Sequence, residues 1–203
     1  MARPNQRAQR RLDYIPLISR TFVDLGYRRT TTAALAQQCE VRENVLYRLW
    51  PDKRAMFIAA LDYVYQYSEQ TWDRLLEDAV KGEGRAENLA SPAQIILEYE
   101  ANHHGEFGLY RLVFTGLSET DDPQIKASLK DLYQRFHGFV QKQVDVHRNN
   151  QNSPGAASLI AWSILGLGTV ANIGRELGIL GADERQQLIK NIGGLLLDVE
   201  IGP

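Results

Sequence analysis

Cysteine is nearly absent from this chain of 203 residues, since Cys39 is the single one. An internal disulfide is therefore excluded, and a single thiol suits a reducing compartment such as the cytoplasm, which is the expected location. Cys39 falls in a predicted helix facing the core and is interpreted as a small hydrophobe, with a redox switch as the alternative.

The first residues lack the apolar core of a signal peptide. No uncharged apolar run of membrane-spanning length is expected, so no membrane partner is predicted.

Signatures of enzymes are also missing. The chain has no H-E-x-x-H, no cysteine pair, no phosphate-binding glycine loop and no nucleophile elbow. His103 and His104 lie in a polar break, where paired histidines are usually solvated, and His137 and His147 are too far apart to share one helix face closely. We therefore predict no enzymatic activity, no catalytic residue, no metal site and no cofactor.

Net charge is small overall but unevenly distributed. Residues 1–54 contain 11 Lys and Arg against 5 Asp and Glu, a net charge of +6, whereas residues 55–203 contain 12 against 20, a net charge of −8. The basic N-terminal part attracts DNA phosphates, and the acidic remainder disfavours DNA binding through its own surface. The alternative is chance clustering of solvated charges.

The N-terminal segment MARPNQRAQRR carries four arginines and no acidic residue before Asp13. It is typical of a flexible arm that follows the DNA backbone or enters a minor groove, with a disordered solubilising tail as the alternative. Pro16 would cost about 3 kcal/mol or more inside a helix. We therefore predict that the first helix starts late, with Asp13 as its N-cap and Pro16 in its first turn.

The richest segment runs from Gly26 to Met56 and reads GYRRTTTAALAQQCEVRENVLYRLWPDKRAM. Gly26 suits a left-handed helix end, and the three threonines at 30–32 are N-cap candidates for a short helix that ends near Cys39. A tight turn at Glu40 leads to a second short helix, and Pro51 breaks that helix before the next one begins. The outer face of the second short helix carries five polar or charged side chains: Arg42, Glu43, Asn44, Tyr47 and Arg48.

This segment resembles the TetR family of bacterial transcriptional regulators. The family pattern G-Y-x-x-T-T-V-x-x-I-A-x-x-A-G-V-S-x-G-T-L-Y-x-H-F-x-S-K-x-x-L aligns from 26 to 56 without a gap. The matching residues are Gly26, Tyr27, Thr30, Thr31, Ala36, Val41, Leu46, Tyr47 and Lys53, preceded by Phe22 at a core aromatic position.

The chain departs from the family pattern at several positions of the turn and of the second short helix. Arg42 and Asn44 stand where the family prefers Ser and Gly, and Glu40 replaces the usual glycine of the turn. Leu49 and Trp50 stand for His and Phe. The change to Arg42 removes the expected N-cap of the recognition helix and adds a charge, so no operator sequence can be carried over from a relative. A positive φ is sterically unfavourable for glutamate, so the turn at Glu40 is expected to differ from the usual geometry or to be strained.

The resemblance implies a DNA-binding domain at 8–68, with its helix-turn-helix at 31–50, and a regulatory and dimerisation domain at 69–203. The expected partners are a double-stranded DNA operator, a second copy of the chain and a small-molecule effector of unknown identity. The expected function is a repressor that the effector releases from a palindromic operator; the alternative is a helical DNA-binding or nucleoid factor without small-molecule control. The DNA-binding residues are predicted to be Thr31, Thr32, Arg42, Glu43, Asn44, Tyr47, Arg48 and Lys53.

The remainder of the chain shows helical rather than strand periodicity, so the predicted fold is all-α with about nine helices. Asp52 is predicted to cap a long helix that runs toward Lys81, and Asp183 is predicted to cap the last helix, which reaches about Val199. Helices open at proline in between, and polar or glycine-rich breaks separate them.

The last two helices are the candidates for self-association. The segment SLIAWSILGLGTVANIGREL is apolar around most of its circumference, and a helix of this kind must be buried. The family implies a four-helix interface between two subunits, whereas the alternative is a fully intramolecular core. The predicted interface residues are Ile164, Leu165, Ile192 and Leu196.

Aromatic residues are frequent in the middle helices, where relatives bind small and often apolar effectors. Each of three aromatic residues interrupts an otherwise aliphatic face, and these three are predicted to line the pocket: Phe114, Tyr133 and Trp162. The alternative is that these aromatics belong to an ordinary core.

Overall fold

The structure is a computed structural model that describes residues 6–82, 90–149 and 155–199. Over these residues the chain forms nine helices and no strand, which confirms the predicted all-α class. The helices are α1 Gln6–Arg29, α2 Thr32–Gln38, α3 Glu43–Leu49, α4 Lys53–Gly82, α5 Pro92–His103, α6 Tyr110–Leu117, α7 Pro123–His147, α8 Ala156–Leu177 and α9, which joins Ala182–Gln187, a π-helical turn Leu188–Ile192 and Gly193–Asp198.

The chain divides into two compact units. The first unit comprises residues 1–67 and 107–132, and the second comprises residues 68–106 and 133–203. The first unit therefore contains α1, α2, α3, α6 and parts of α4 and α7. The second contains α5, α8, α9 and the remaining parts of α4 and α7.

The core of the first unit is built around Phe22. Its ring meets that of Phe57 edge-on, with 5.0 Å between ring centres, and the Tyr27 ring lies 4.9 Å from that of Phe57. Leu35 from α2 and Leu46 from α3 are fully buried in the same unit. Burying side chains of this size stabilises the fold by about 1.5–3 kcal/mol each, so this core fixes the positions of α2 and α3.

The core of the second unit joins α5, α7, α8 and α9. Its buried members are Ala93, Val144, Ala157, Ile160 and Leu197, and four partly buried residues pack against them: Leu97, Val140, Ile164 and Leu196.

The start of α1 differs from the sequence-based prediction. The helix already includes Gln6 and contains Pro16 in its interior, so the predicted late start at Asp13 is wrong. The prediction of a flexible arm is also wrong for residues 6–11, because these residues are helical. Residues 1–5 of the predicted arm lie outside the described part of the chain. The physical reason is a tertiary contact that the sequence did not reveal: the Arg11 side chain donates to the carbonyl oxygen of Leu49, which holds the turns before the proline in helical form.

The start of α9 also differs in detail. Its N-cap is Gly181, so the prediction that Asp183 caps this helix is wrong. The Glu184 carboxylate accepts a hydrogen bond from the Gly181 N–H at 2.7 Å, which satisfies a donor at this helix end. Asp183 lies in the first turn, where a negative charge favours the helix through its dipole.

Candidate nucleic-acid interface

The face of α3 is arranged as the sequence predicted. Leu46 and Leu49 are buried against the core of the first unit. The five side chains predicted to read DNA are all exposed: Arg42, Glu43, Asn44, Tyr47 and Arg48. The short helix therefore presents a polar surface with two guanidinium groups and one amide, which are the side-chain types that recognise guanine and adenine in a major groove.

Arg42 occupies the N-cap position of α3 without acting as a side-chain cap. Its backbone is extended, with φ of −79° and ψ of 149°, as at a normal N-cap. The family serine at this position would place its hydroxyl on the first-turn amides. Here the first-turn amides of α3 lack that cap, and the arginine side chain stays exposed at the start of the recognition helix.

The turn between α2 and α3 is left-handed at its glutamate. Glu40 adopts a positive φ of 54°. Its N–H donates to the Gln37 carbonyl at 3.0 Å, and the Val41 N–H donates to the Ala36 carbonyl at 2.9 Å. These two bonds form a Schellman motif, in which the residue at Glu40 must be left-handed. The turn therefore keeps its shape at the cost of backbone strain.

The two threonines at the start of α2 have separate roles. Thr31 is the N-cap, and its hydroxyl oxygen accepts a hydrogen bond from the Ala34 N–H at 3.1 Å. The Thr32 hydroxyl oxygen accepts from the Tyr47 hydroxyl at 3.1 Å. The second bond links α2 to the exposed face of α3, so Thr32 and Tyr47 form one continuous polar surface.

Lys53 is more enclosed than the sequence indicated. Its ammonium group donates to the carbonyl oxygens of Tyr27 and Thr30, each at 3.0 Å, and lies 4.4 Å from the centre of the Tyr27 ring. These carbonyls lie beyond Gly26, whose φ of 74° interrupts α1 where a helix end was predicted. Lys53 therefore ties the end of α1 to the start of α4, and the Asp52 carboxylate caps α4 by accepting from the Ala55 N–H.

Two further arginines beside these helices are held by acidic residues of the turn after α6. Arg28 donates to Glu119 at 2.8 Å, and Arg54 donates to Asp122 at 3.2 Å. Sequence analysis did not single out these pairs, because their members are 91 and 68 residues apart in the chain.

The second unit contains a partly buried polar cluster around His104. Its Nδ1 lies 2.7 Å from the Glu100 carboxylate, and its Nε2 lies 3.0 Å from the Gly168 carbonyl oxygen, so the expectation of a solvated His104 is wrong. The Trp72 indole N–H donates to Glu100 at 2.8 Å. A Cβ at Gly168 would lie 3.0 Å from the His104 ring, which explains the glycine. Asn172 is buried beside the ring, and its Oδ1 has no hydrogen-bond partner among the described residues.

The three predicted pocket residues do not form one group within a single unit. Phe114 belongs to the first unit, where its ring packs against that of Tyr110 with 5.6 Å between centres. Tyr133 belongs to the second unit, and burial raises the pKa of its hydroxyl. Trp162, also of the second unit, is 46% exposed and stacks on His137 with 4.5 Å between ring centres.

The predicted interface residues lie beside an exposed apolar stripe. Ile192 is exposed, whereas Ile164 and Leu196 are partly buried against the core of the second unit and Leu165 is partly buried. The large exposed apolar side chains recur at spacings of three, four or eight residues, so each set follows one helix face. On α8 they are Leu159, Trp162, Val170, Ile173 and Leu177, and on α9 they are Ile192 and Leu195, followed by Val199.

One helix of the described chain, α8, bears on the prediction that no membrane partner exists. By length and composition alone, Ala156–Leu177 is long and apolar enough to cross a membrane, and 33% of its most apolar window is buried. The core helix of a globular protein passes the same test, so this property does not distinguish a membrane helix from an interface helix.

Comparison with known proteins agrees with this geometry. Residues 18–60 match the model of the "Bacterial regulatory proteins, tetR family". The nucleoid occlusion factor SlmA of Photobacterium profundum is 24% identical over 165 residues, which cover 80% of this chain and 81% of that protein.

Solved structures share the fold across the chain. A TetR-family regulator from Cytophaga hutchinsonii matches with a TM-score of 0.74 and 13% identity over 100% of both chains. The regulator FadR from Bacillus subtilis, solved in complex with stearoyl-CoA, matches with a TM-score of 0.65 and 14% identity over 92% of this chain and 97% of that one. Residues 18–60 thus carry the helix-turn-helix of the tetR family of bacterial regulatory proteins, and the chain shares its all-helical fold with solved structures of TetR-family regulators.

Proposed function

We propose that the protein is a homodimeric repressor that binds a roughly palindromic operator and leaves it when a small-molecule effector binds. The observation that carries the proposal is the exposed face of α3, where Arg42, Asn44 and Arg48 project from a helix whose opposite side is buried. A helix supported in this way can enter a major groove without disturbing its own core. Dimerisation follows as a requirement, because one short helix reads too few base pairs for strong selectivity.

We assign DNA contacts to two groups of residues. Arg42, Asn44, Tyr47 and Arg48 face the bases, and Glu43 lies on the same face. Thr31, Thr32 and Lys53 lie at helix starts, where hydroxyl, amide and ammonium groups favour phosphate. Two of the ammonium N–H groups of Lys53 are already used within the chain, which leaves one donor for a phosphate oxygen.

The dimer interface is proposed on the exposed stripes of α8 and α9. Apolar residues at Leu159, Val170 and Leu177 on one helix and at Leu195 on the other would be covered by the same surface of a second copy. A self-complementary patch of this kind fits two-fold symmetry. Ile192 is part of these stripes, and Ile164, Leu165 and Leu196 flank them, so all four residues belong to the same proposal. Trp162 fits the interface better than a pocket because of its exposure.

An effector site is proposed in the region 69–203, which we treat as the regulatory and dimerisation domain, with 8–68 as the DNA-binding domain. The polar cluster of Glu100, His104 and Asn172 supports this site, because a buried amide oxygen without a partner costs free energy that a ligand can recover. The Nε of Arg175, beside the same cluster, also lacks a partner among the described residues. Tyr133 stays a candidate lining residue, whereas Phe114 belongs to the first unit.

The alternative is a DNA-binding factor without small-molecule control. One observation favours it: a relative that matches across 80% of this chain is a nucleoid occlusion factor. The two functions differ in their response to ligands. The test is to screen metabolites by thermal shift of the purified protein and then to add each stabilising compound to a protein–DNA complex. Release of selected DNA by such a compound supports the repressor, whereas stabilising compounds that never release DNA support the alternative.

A further inference from the structure

The N-terminal turns of α1 are fixed to the end of the recognition helix. The Arg11 guanidinium donates from Nε to the Leu49 carbonyl oxygen at 3.1 Å and from Nη2 to the same oxygen. Its central carbon lies 5.6 Å from the centre of the Trp50 ring. Leu49 is the last residue of α3, and both Leu49 and Trp50 are buried. Arg11 therefore binds a carbonyl at the negative end of the helix dipole and rests on a rigid aromatic surface.

This contact determines the orientation of the residues that precede it. Arg11 shares one helix face with Ile15, Ile18 and Phe22, because their spacings of four, three and four residues follow the helical repeat. The segment 6–12, whose residues are exposed, continues this face of α1 on the N-terminal side of Pro16, and Arg11 joins it to the end of α3. The cost of an interior proline, about 3 kcal/mol, is offset in part by this anchoring.

The anchored segment is strongly basic. Arg7 lies one helical turn before Arg11, and Arg10 directly precedes Arg11 in the chain. The side chains of Arg7 and Arg10 are both exposed. The first acidic residue of the chain is Asp13, and Gln9 donates a hydrogen bond to it at 2.9 Å. The helical turns that carry these two guanidinium groups are therefore anchored through Arg11 to the end of α3.

We propose that Arg7 and Arg10 bind DNA phosphates that flank the bases contacted by α3. The proposal rests on operator binding as proposed above. A phosphate contact is favoured over base contacts because a helix of about 10–12 Å diameter does not fit a minor groove about 6 Å wide. The α1 extension, residues 6–12, thus lengthens each half-site without adding sequence preference.

The test compares the wild-type chain with the double variant Arg7→Gln and Arg10→Gln. Genomic fragments selected by the wild-type protein are titrated by fluorescence anisotropy at several salt concentrations and are probed by hydroxyl-radical footprinting. Each lost phosphate contact reduces the slope of log affinity against log salt by about 0.9, so we expect a reduction of about 4 for a dimer with two such contacts in each subunit. The footprint is expected to shorten at both outer ends, with equal affinity losses on operator and random DNA.

The matched control removes two exposed positive charges elsewhere, through Arg74→Gln and Lys81→Gln on α4. This control is expected to keep the wild-type salt slope and footprint. The variant Arg11→Lys keeps the charge but loses the paired donors to Leu49, and it is expected to weaken protection only at the outer ends.

Two outcomes overturn the inference. One is a double variant with the wild-type slope and footprint, and the other is a change in which base sequences are preferred. If the wild-type protein selects no fragment at all, the proposed function fails first, which separates the two failures.

Discussion

Asp122 accepts a hydrogen bond from Arg54 at 3.2 Å and so joins the turn after α6 to the first turn of α4. Desolvation raises the pKa of the Asp122 carboxyl, but hydrogen bonds from the backbone N–H groups of Ile125 and Gln124 and from Arg54 outweigh it, and the pKa is lowered. This pair belongs to the same unit as the recognition helix, so it stabilises the surroundings of the DNA-binding helices.

The first prediction concerns the pH dependence of that pair. Because the pKa is lower in the folded chain, the carboxylate stabilises the fold fully above its unfolded pKa, about 3.9, and loses this effect as pH falls through the folded value. Asp122→Asn keeps a cap for the two amides but loses the ion pair. We expect urea unfolding to show a less stable variant at pH 7 and a difference that closes below about pH 4. The exposed Asp121→Asn is the control, and a pH-independent difference for Asp122→Asn would contradict the assignment.

The second prediction concerns the strained turn. Glu40 adopts φ of 54°, a conformation that costs an ordinary residue about 1–2 kcal/mol and costs glycine little. Glu40→Gly is therefore expected to raise the free energy of unfolding by about 1 kcal/mol, with DNA affinity nearly unchanged. Glu40→Ala removes the same charge but keeps the strain, so it should bring no such gain. Equal stability of the two variants in urea titrations would show that the strain is not relieved.

The sequence predicted the recognition helix well because its information is local. The alternation of buried and exposed positions in α3, the cap at Thr31 and the turn at Glu40 all follow from spacings of a few residues. The extension of α1 past Pro16 could not be predicted in this way. It depends on the contact between Arg11 and Leu49, which are 38 residues apart.

Side-chain roles that depend on packing also could not be predicted from the sequence. The pattern of α8 shows that the helix is apolar, but not which apolar side chains the rest of the unit covers. Ile164 packs on the core, whereas Val170 stays 52% exposed. Lys53 matched the family pattern at a DNA-contacting position, and only the structure shows its two carbonyl partners.

The third prediction separates the two roles of Lys53. Lys53→Met keeps the apolar stem against Tyr27 and removes the ammonium. Loss of two charge-assisted hydrogen bonds is expected to lower the free energy of unfolding by about 1–3 kcal/mol. Loss of a phosphate contact is expected to reduce the salt slope of DNA binding by about one per subunit. A lower stability with an unchanged slope would make Lys53 a positioning residue only, and Lys126→Met is the control for charge.

The fourth prediction concerns assembly. Val170→Glu with Leu195→Glu places charge on the exposed stripes of α8 and α9, where a partner would desolvate it at a cost of several kcal/mol. We expect a folded, helical monomer by light scattering and circular dichroism, with weak and salt-sensitive binding to any DNA. Val80→Glu changes an apolar residue that is 80% exposed elsewhere on the chain and should leave the dimer intact. A wild-type chain that is monomeric at micromolar concentration would contradict the dimer and the palindromic operator.

The central claim is that the face of α3 reads a specific DNA sequence, and selection of genomic fragments tests it most directly. Purified wild-type protein and the variant Arg42→Ala are each incubated with fragments of the source genome, and the bound fragments are sequenced. The wild-type protein is expected to enrich fragments that share a two-fold symmetric site with half-sites about one helical turn or more apart. Arg42→Ala is expected to bind the best site about 1–3 kcal/mol less tightly and to relax the preference at one position of each half-site. Uniform enrichment by the wild-type protein, or an equal loss by Arg42→Ala on selected and random DNA, would contradict the account.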